Sequence, residues 1–276
     1  MKRPQHAHQW ALIALGVGAA ALLLVLPLVL IFTQALSGGW SLLAANLSEG
    51  YMRHALSLTL LVAVLTVPVN LVFGIALAWC VTQYEFRGRR LLTTLIDIPF
   101  ATSPVVAGMC YLVVYGMEGL LGQWLASHDI QIIFAWPGIV LVTIFITSPY
   151  VARILIPLMQ THGNDEEHVA LTLGANGWQI FWRVTLPKIQ WALLNGVVTT
   201  NARAVGEFGS VAVVSGTIMN QTLTLPLLVE QLNNDYKVAA AFTAAALLAC
   251  MALLSLLLKS VMEWRQERLQ ALALSR

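Results

Sequence analysis

Long apolar runs constrain this chain's fold more than any other feature of its sequence. From Ala11 to Thr33 there are 23 consecutive uncharged residues. A helix needs only about 20 to cross roughly 30 Å of hydrocarbon. Six predominantly apolar stretches of this order occur, at about 11–33, 56–82, 95–116, 137–159, 189–214 and 238–258. Hydrophobic residues make up 58% of the 276, against about 45–50% in soluble domains, which is more than a water-surrounded core absorbs. Backbone polar groups in lipid must be satisfied within their own segment, so the stretches are read as helices. The expected fold class is an all-α membrane protein with six transmembrane helices. The third stretch is the weakest, because Pro99 and Pro104 interrupt it.

The first run has the position of a secretory signal. It is longer than an ordinary apolar signal core, and no A-x-A-like site follows, so it reads as a retained span. Cys80, Cys110 and Cys250 each sit in apolar sequence without C-x-x-C spacing, and read as small hydrophobes rather than disulfides or metal ligands. His54, His128 and His168 have no ligand spacing.

Basic residues set the orientation. With the N-terminus inside, twelve of the 15 Lys and Arg fall on the cytoplasmic side: Lys2, Arg3, Arg87, Arg89, Arg90, Arg153, Arg183, Lys188, Lys259, Arg265, Arg268 and Arg276. Both termini are then cytoplasmic, and the net charge of +2 is a topology signal with no bearing on nucleic acid. Three regions follow. Residues 1–54 hold an N-terminal cytoplasmic segment, the first span and an outer connection. Residues 55–260 form the main transmembrane domain with a cytoplasmic loop at 161–188, and 261–276 an amphipathic cytoplasmic tail. Outside the membrane, TLTLPLLVEQL at 222–232 suggests a short interfacial helix.

Within this greasy chain, NDEEHVALTLGANGWQIFWRVTLPKI at 164–189 is a charged island. Asn164 or Asp165 suits a helix cap, and Glu166 and Glu167 suit the first turn, where the helix dipole favours carboxylates. Val169, Leu173 and Ile180 are spaced for one apolar stripe. Gly174 interrupts the pattern, so two short helices with a bend are expected. Isolated helices below about 12 residues are marginal, so such a pair needs a surface to dock on. Simple capping and partner docking both fit this spacing.

The string E-H-V-A-x-x-x-G-x9-V-x-L-P at 167–187 resembles the EAA loop of ABC-transporter permease subunits. Ala170, Gly174, Leu186 and Pro187 match that pattern, and Val184 stands for its Ile. His168 occupies the Glu position, with Glu167 immediately before it. A second segment, NARAVGEFGSVAVVSG at 201–216 followed by TLTLPLLVE, is similar to permeases for tetrahedral oxyanions, above all the CysW type of sulfate/thiosulfate importer, with molybdate/tungstate permeases as near relatives. The resemblance implies a type I ABC importer permease fold in a bacterial inner membrane. It also implies that the loop is a coupling helix seated on a dimer of ATP-binding-cassette ATPases, with Glu166, Glu167, His168, Ala170, Gly174 and Ala175 as its contact region. Glu167 is the expected charge at that contact and Gly174 the bend. A homologous second permease and a periplasmic sulfate-binding protein are the other implied partners.

Nothing in the chain matches the phosphate loop G-x-x-x-x-G-K-[ST], so no ATP hydrolysis by that route is expected here; ATP and Mg belong to the partner ATPase. Inside the fifth stretch, Arg203 and Glu207 are four residues apart on one helical face. They form either a structural ion pair or, with Asn201 and Ser210, part of a translocation path or gate. Thr199 and Thr200 fit a polar track or ordinary helix contacts, and Gly206 and Gly209 fit close packing or a pathway. A secondary transporter driven by an ion gradient needs a free midplane acid, and Glu207, read as the only deep one, is already offered Arg203. An enzyme is disfavoured by the lack of H-E-x-x-H, G-x-S-x-G or paired intramembrane acids.

Overall fold

The computed structural model describes residues 7–274, and among these every regular element is a helix. Lys2, Arg3 and Arg276, used above for orientation, lie outside the described residues. The chain opens with α1 (Ala7–Ala20), a π-turn (Ala21–Val25) and α2 (Leu26–Leu36), followed by a short α3 (Gly39–Ser48). The long α4 (Gly50–Gln83) is followed by α5 (Arg89–Ala101), α6 (Pro104–Tyr115) and the one-turn α7 (Gly122–Ala126). Next come α8 (Trp136–Thr147), α9 (Pro149–His162), α10 (Asp165–Thr172), α11 (Gly177–Ile180), a second π-turn (Phe181–Thr185) and α12 (Leu186–Val205). The last three are α13 (Gly209–Ser215), α14 (Leu225–Asn234) and α15 (Val238–Leu274).

Among the described residues, four helices are long and apolar enough to cross a membrane: Leu12–Leu36, Gly50–Gln83, Trp136–His162 and Val238–Arg265. The third expected span is α5 and α6, bent by 105° at Thr102–Ser103. Pro104 opens α6 and forces Ser103 out of the helical region, to φ −61°, ψ 133°. The fifth expected span, 189–214, is not one continuous helix: α12 ends at Val205, and α13 starts only at Gly209. Its cause is local. Glu207 turns its carboxylate onto the backbone N–H of Ser210 and satisfies a donor at the start of α13, which a continuous helix would have paired internally.

Two clusters hold the bundle together. Met52, Ala55, Leu58, Ile139, Val142, Val214, Leu228 and Ala244 join α4, α8, α13, α14 and α15. Ala78, Val81, Val151, Ala152, Leu155 and Ile189 join the other half of α4 to α9 and α12. Lipid tails are as apolar as leucine, so helix association here depends on close packing rather than escape from water. Gly74 shows how close: a Cβ added there meets Val151 Cβ at 2.5 Å. Between the clusters, the fully buried Asn70 donates Nδ2–H to Thr147 Oγ1 at 2.6 Å and ties α4 to α8.

The segment read as a short interfacial helix folds as one, α14, and its leucine face packs into the core. In α14, Leu225, Leu227, Leu228 and Leu232 are buried, and the Leu225 N–H donates to Thr59 Oγ1 of α4 at 2.9 Å. The first helix is the opposite case: Leu12, Leu15, Leu22, Leu23 and Leu24 are all exposed on the chain's surface.

Candidate functional site

The charged island folds as two short helices, as its pattern predicts. Asp165, Glu166 and Glu167 occupy the first turn of α10, but no side chain caps it. Asn164 spends its carbonyl oxygen on Gln83 Nε2 at 3.1 Å and so ties the island to the end of α4. α10 stops in a Schellman turn: the Ala175 N–H donates back to the Ala170 carbonyl at 3.0 Å, with Gly174 at φ +84°. Only glycine adopts that backbone without a steric cost. α11 then starts at a capping box, in which Asn176 and Gln179 each accept the other's backbone N–H.

The three acids have different surroundings. Glu167 is buried, accepting from Thr185 Oγ1 at 3.2 Å and from Lys188 Nζ at 3.3 Å. Glu166 stays in solvent and shares the same Lys188 at 3.2 Å. Asp165 and His168 are exposed. Glu167, expected to face a partner, therefore faces inward and fastens α10 to the start of α12. The expected apolar stripe is also divided. Ile180 is buried, while Val169 and Leu173 point away from the chain. Phe181 stacks on Trp79 of α4 with ring centroids 4.8 Å apart. Outward, Val169, Leu171, Leu173, Trp178 and Trp182 form an exposed apolar surface.

At the other end of α12, Arg203 and Glu207 meet as expected, with Nη1 2.5 Å from Oε2. Glu207 is 2% exposed. Its Oε1 accepts from Ser210 Oγ at 2.7 Å and from the Ser210 N–H at 3.2 Å. Oε2 has no aligned donor among the described residues, so Arg203 reaches it as a charge rather than through a directed hydrogen bond. The pair is built across the unwound Gly206–Phe208 joint, not along a continuous helix face. Ser210 belongs to this cluster. Asn201 does not: its Nδ2 donates to Ser255 Oγ of α15 at 3.3 Å. Thr200 is fully buried, and Thr199 bonds within its own helix to Asn195.

Two features escaped the sequence pattern. Lys188 grips both island glutamates; its place directly after Leu186–Pro187 was the available signal. Asp97, an acid within the third apolar stretch, pairs with Arg153 Nε at 2.8 Å. Arg153 was expected beside the island, but it lies nine residues inside the end of the Trp136–His162 helix. Glu207 is thus not the only acid among the apolar stretches.

Residues 70–270 match the model of the family described as binding-protein-dependent transport system inner membrane component. A relative from Escherichia coli (strain K12), the sulfate transport system permease protein CysW, is 56% identical, the match covering 96% of this chain and 91% of that protein. The sulfate transport system permease protein CysT of the same organism is 36% identical over 84% of this chain and 85% of its own length. A solved bacterial alginate ABC transporter, in complex with an alginate pentasaccharide-bound periplasmic protein, superposes with a TM-score of 0.76, covering 95% of this chain and 94% of that one at 15% identity. At that identity the superposition speaks for the fold alone. By the family match and the identity to its relatives, the chain belongs to the inner-membrane permease components of binding-protein-dependent ABC transporters.

Proposed function

We propose that this chain is the membrane-spanning permease subunit of an ATP-driven importer that carries sulfate or thiosulfate into the cell by alternating access. The observation that carries this reading is the 56% identity, along nearly the whole chain, to a sulfate transport permease. The island and the Arg203–Glu207 joint supply a physical account. α10 and α11 present an apolar face on a frame fixed by Glu167, Thr185 and Lys188, suited to receive one subunit of an ATPase dimer. Closure of that dimer would draw two such handles together, and rigid α12 would carry the movement to the unwound joint at its far end.

In this reading, both termini and the island are cytoplasmic. The bent α5–α6 pair and the interrupted α12–α13 complete six passes with the four long helices. A CysT-like second permease completes the pathway, and a periplasmic binding protein delivers the anion. ATP and Mg stay with the ATPase.

The deciding experiment is uptake of labelled sulfate by the complex reconstituted with its ATPase and binding protein, in competition with molybdate. Sulfate uptake that excess molybdate leaves standing is the expected result. Preferential molybdate uptake would reassign the substrate. Deleting 164–178 should release the ATPase during purification; retention of the ATPase would remove the island from the interface. Arg203→Ala is expected to abolish uptake in a complex that still assembles, and full uptake would reduce that pair to a structural role.

A further inference from the structure

The Asp97–Arg153 pair lies outside both features just described. Arg153 is nine residues from His162 and 17 from Trp136 on a helix able to cross the membrane. At 1.5 Å per residue it sits about 13 Å from one end and about 25 Å from the other, inside a hydrocarbon slab of roughly 30 Å. Yet both side chains lie on the chain's surface, Arg153 at 42% exposure and Asp97 at 46%. Charged groups at such depth do not face lipid, because removing them from water costs several kcal/mol. This face therefore turns toward an aqueous path or another subunit.

The geometry favours the aqueous path and an anion. Asp97 engages Arg153 through a single contact, Nε to Oδ1. Among the described residues, nothing pairs with the two terminal nitrogens of the guanidinium. The planar Arg fork matches tetrahedral oxyanions in a bidentate manner, and those nitrogens are the half of the fork still on offer. Phe100 lies beside the guanidinium, 4.2 Å from ring centroid to Cζ, which makes it a probe position at the fork. Phe100 is held in turn by an edge contact with Tyr150. The nearby carboxylate keeps the site close to neutral overall, so an anion arriving there is held briefly. Conduction requires such weak binding, since a strong site would trap its cargo.

We infer that Arg153 is an anion contact in the inner half of the translocation path, with Asp97 as the positioning residue that holds its fork and competes with the anion. The inference rests on the importer reading and on the topology proposed with it. Arg203 differs: its counter-ion is buried and tied to the backbone of α13, so it is the more tightly held of the two cations.

The test is made in the assembled complex with ATPase and binding protein, after replacing Cys80, Cys110 and Cys250 by serine. Phe100→Cys places a thiol beside the guanidinium, and its reaction with a membrane-impermeant anionic methanethiosulfonate is timed with and without inorganic sulfate. The expected result is a reactive thiol that sulfate protects at least threefold. Protection should vanish when Arg153→Gln is added. Asp97→Asn should lower the half-protecting sulfate concentration at least threefold, which a purely structural carboxylate would not do. In the Phe100 background, Arg153→Gln should cut sulfate carried per ATP hydrolysed at least tenfold, with Arg153→Lys recovering part of it. An unreactive thiol would place this face against lipid or the second permease and overturn the inference. Protection indifferent to Arg153→Gln would overturn it as well. Failure of the unsubstituted complex to carry sulfate would instead count against the substrate assignment, while thiol reactivity would still report whether the face is wet.

Discussion

Glu167 and Glu207 are chemically alike and structurally opposite. Each is a buried glutamate placed between a hydroxyl and a cation: Thr185 and Lys188 for one, Ser210 and Arg203 for the other. Glu167 reaches partners 18 and 21 residues away and closes a tertiary clamp between two helices. Glu207 finds its partners three and four residues away, and its carboxylate holds open a break in the backbone. The same three groups make a rigid handle at one end of α12 and a joint at the other. What separates the roles is sequence distance rather than burial or bond length.

The largest expected effect is at the joint. Glu207→Ala leaves Arg203 without its counter-ion and the Ser210 N–H without its acceptor. Removing one partner of a buried pair costs about 3–5 kcal/mol. The purified complex should lose thermal stability by size-exclusion fluorescence more than in any other single variant described here, and an unchanged transition would show that the joint does not depend on this carboxylate.

Next is the clamp. Glu167→Ala removes charge-assisted bonds worth about 1.5–3 kcal/mol. The handle should then loosen, so that ATP is hydrolysed with less sulfate carried per turnover. A stability loss equal to that of Glu207→Ala, with coupling intact, would erase the distinction drawn here. Gly174→Ala forces a side chain into the left-handed region for about 1 kcal/mol. It should weaken ATPase co-purification by a few fold while leaving the membrane helices unchanged by circular dichroism. Smallest is Glu166→Ala: an exposed pair contributes about 0–1 kcal/mol, so coupling should stay near that of the unsubstituted protein. If Glu166→Ala uncouples as strongly as Glu167→Ala, the acids act through charge alone and burial is irrelevant.

The long apolar helices could be read directly, because twenty uncharged residues have few other folds open to them. The bend at Pro104 could be read too, from the restriction proline places on the preceding residue. The break after Val205 could not. An i, i+4 Arg–Glu pair is what a continuous helix shows, and only the hydrogen bonds to Ser210 reveal that Glu207 serves the next helix. Among Asp165, Glu166 and Glu167, successive residues turn by about 100° around the helix, so the three could not share one environment. Which one turned inward depended on Thr185 and Lys188, about twenty residues downstream. The short helix at α14 could be read as well; that its leucines pack on α4, with the Thr59 hydroxyl accepting the Leu225 N–H, could not.

The exposed face of α10, α11 and the following π-turn also bears on the life of the chain before assembly. Val169, Leu171, Leu173, Trp178 and Trp182 are uncovered on the isolated chain. Clustered large apolar side chains are a mark by which chaperones and proteases recognise unfinished proteins. In the proposed importer, docking of the ATPase would cover these side chains, and an unpartnered copy would leave them open to such recognition.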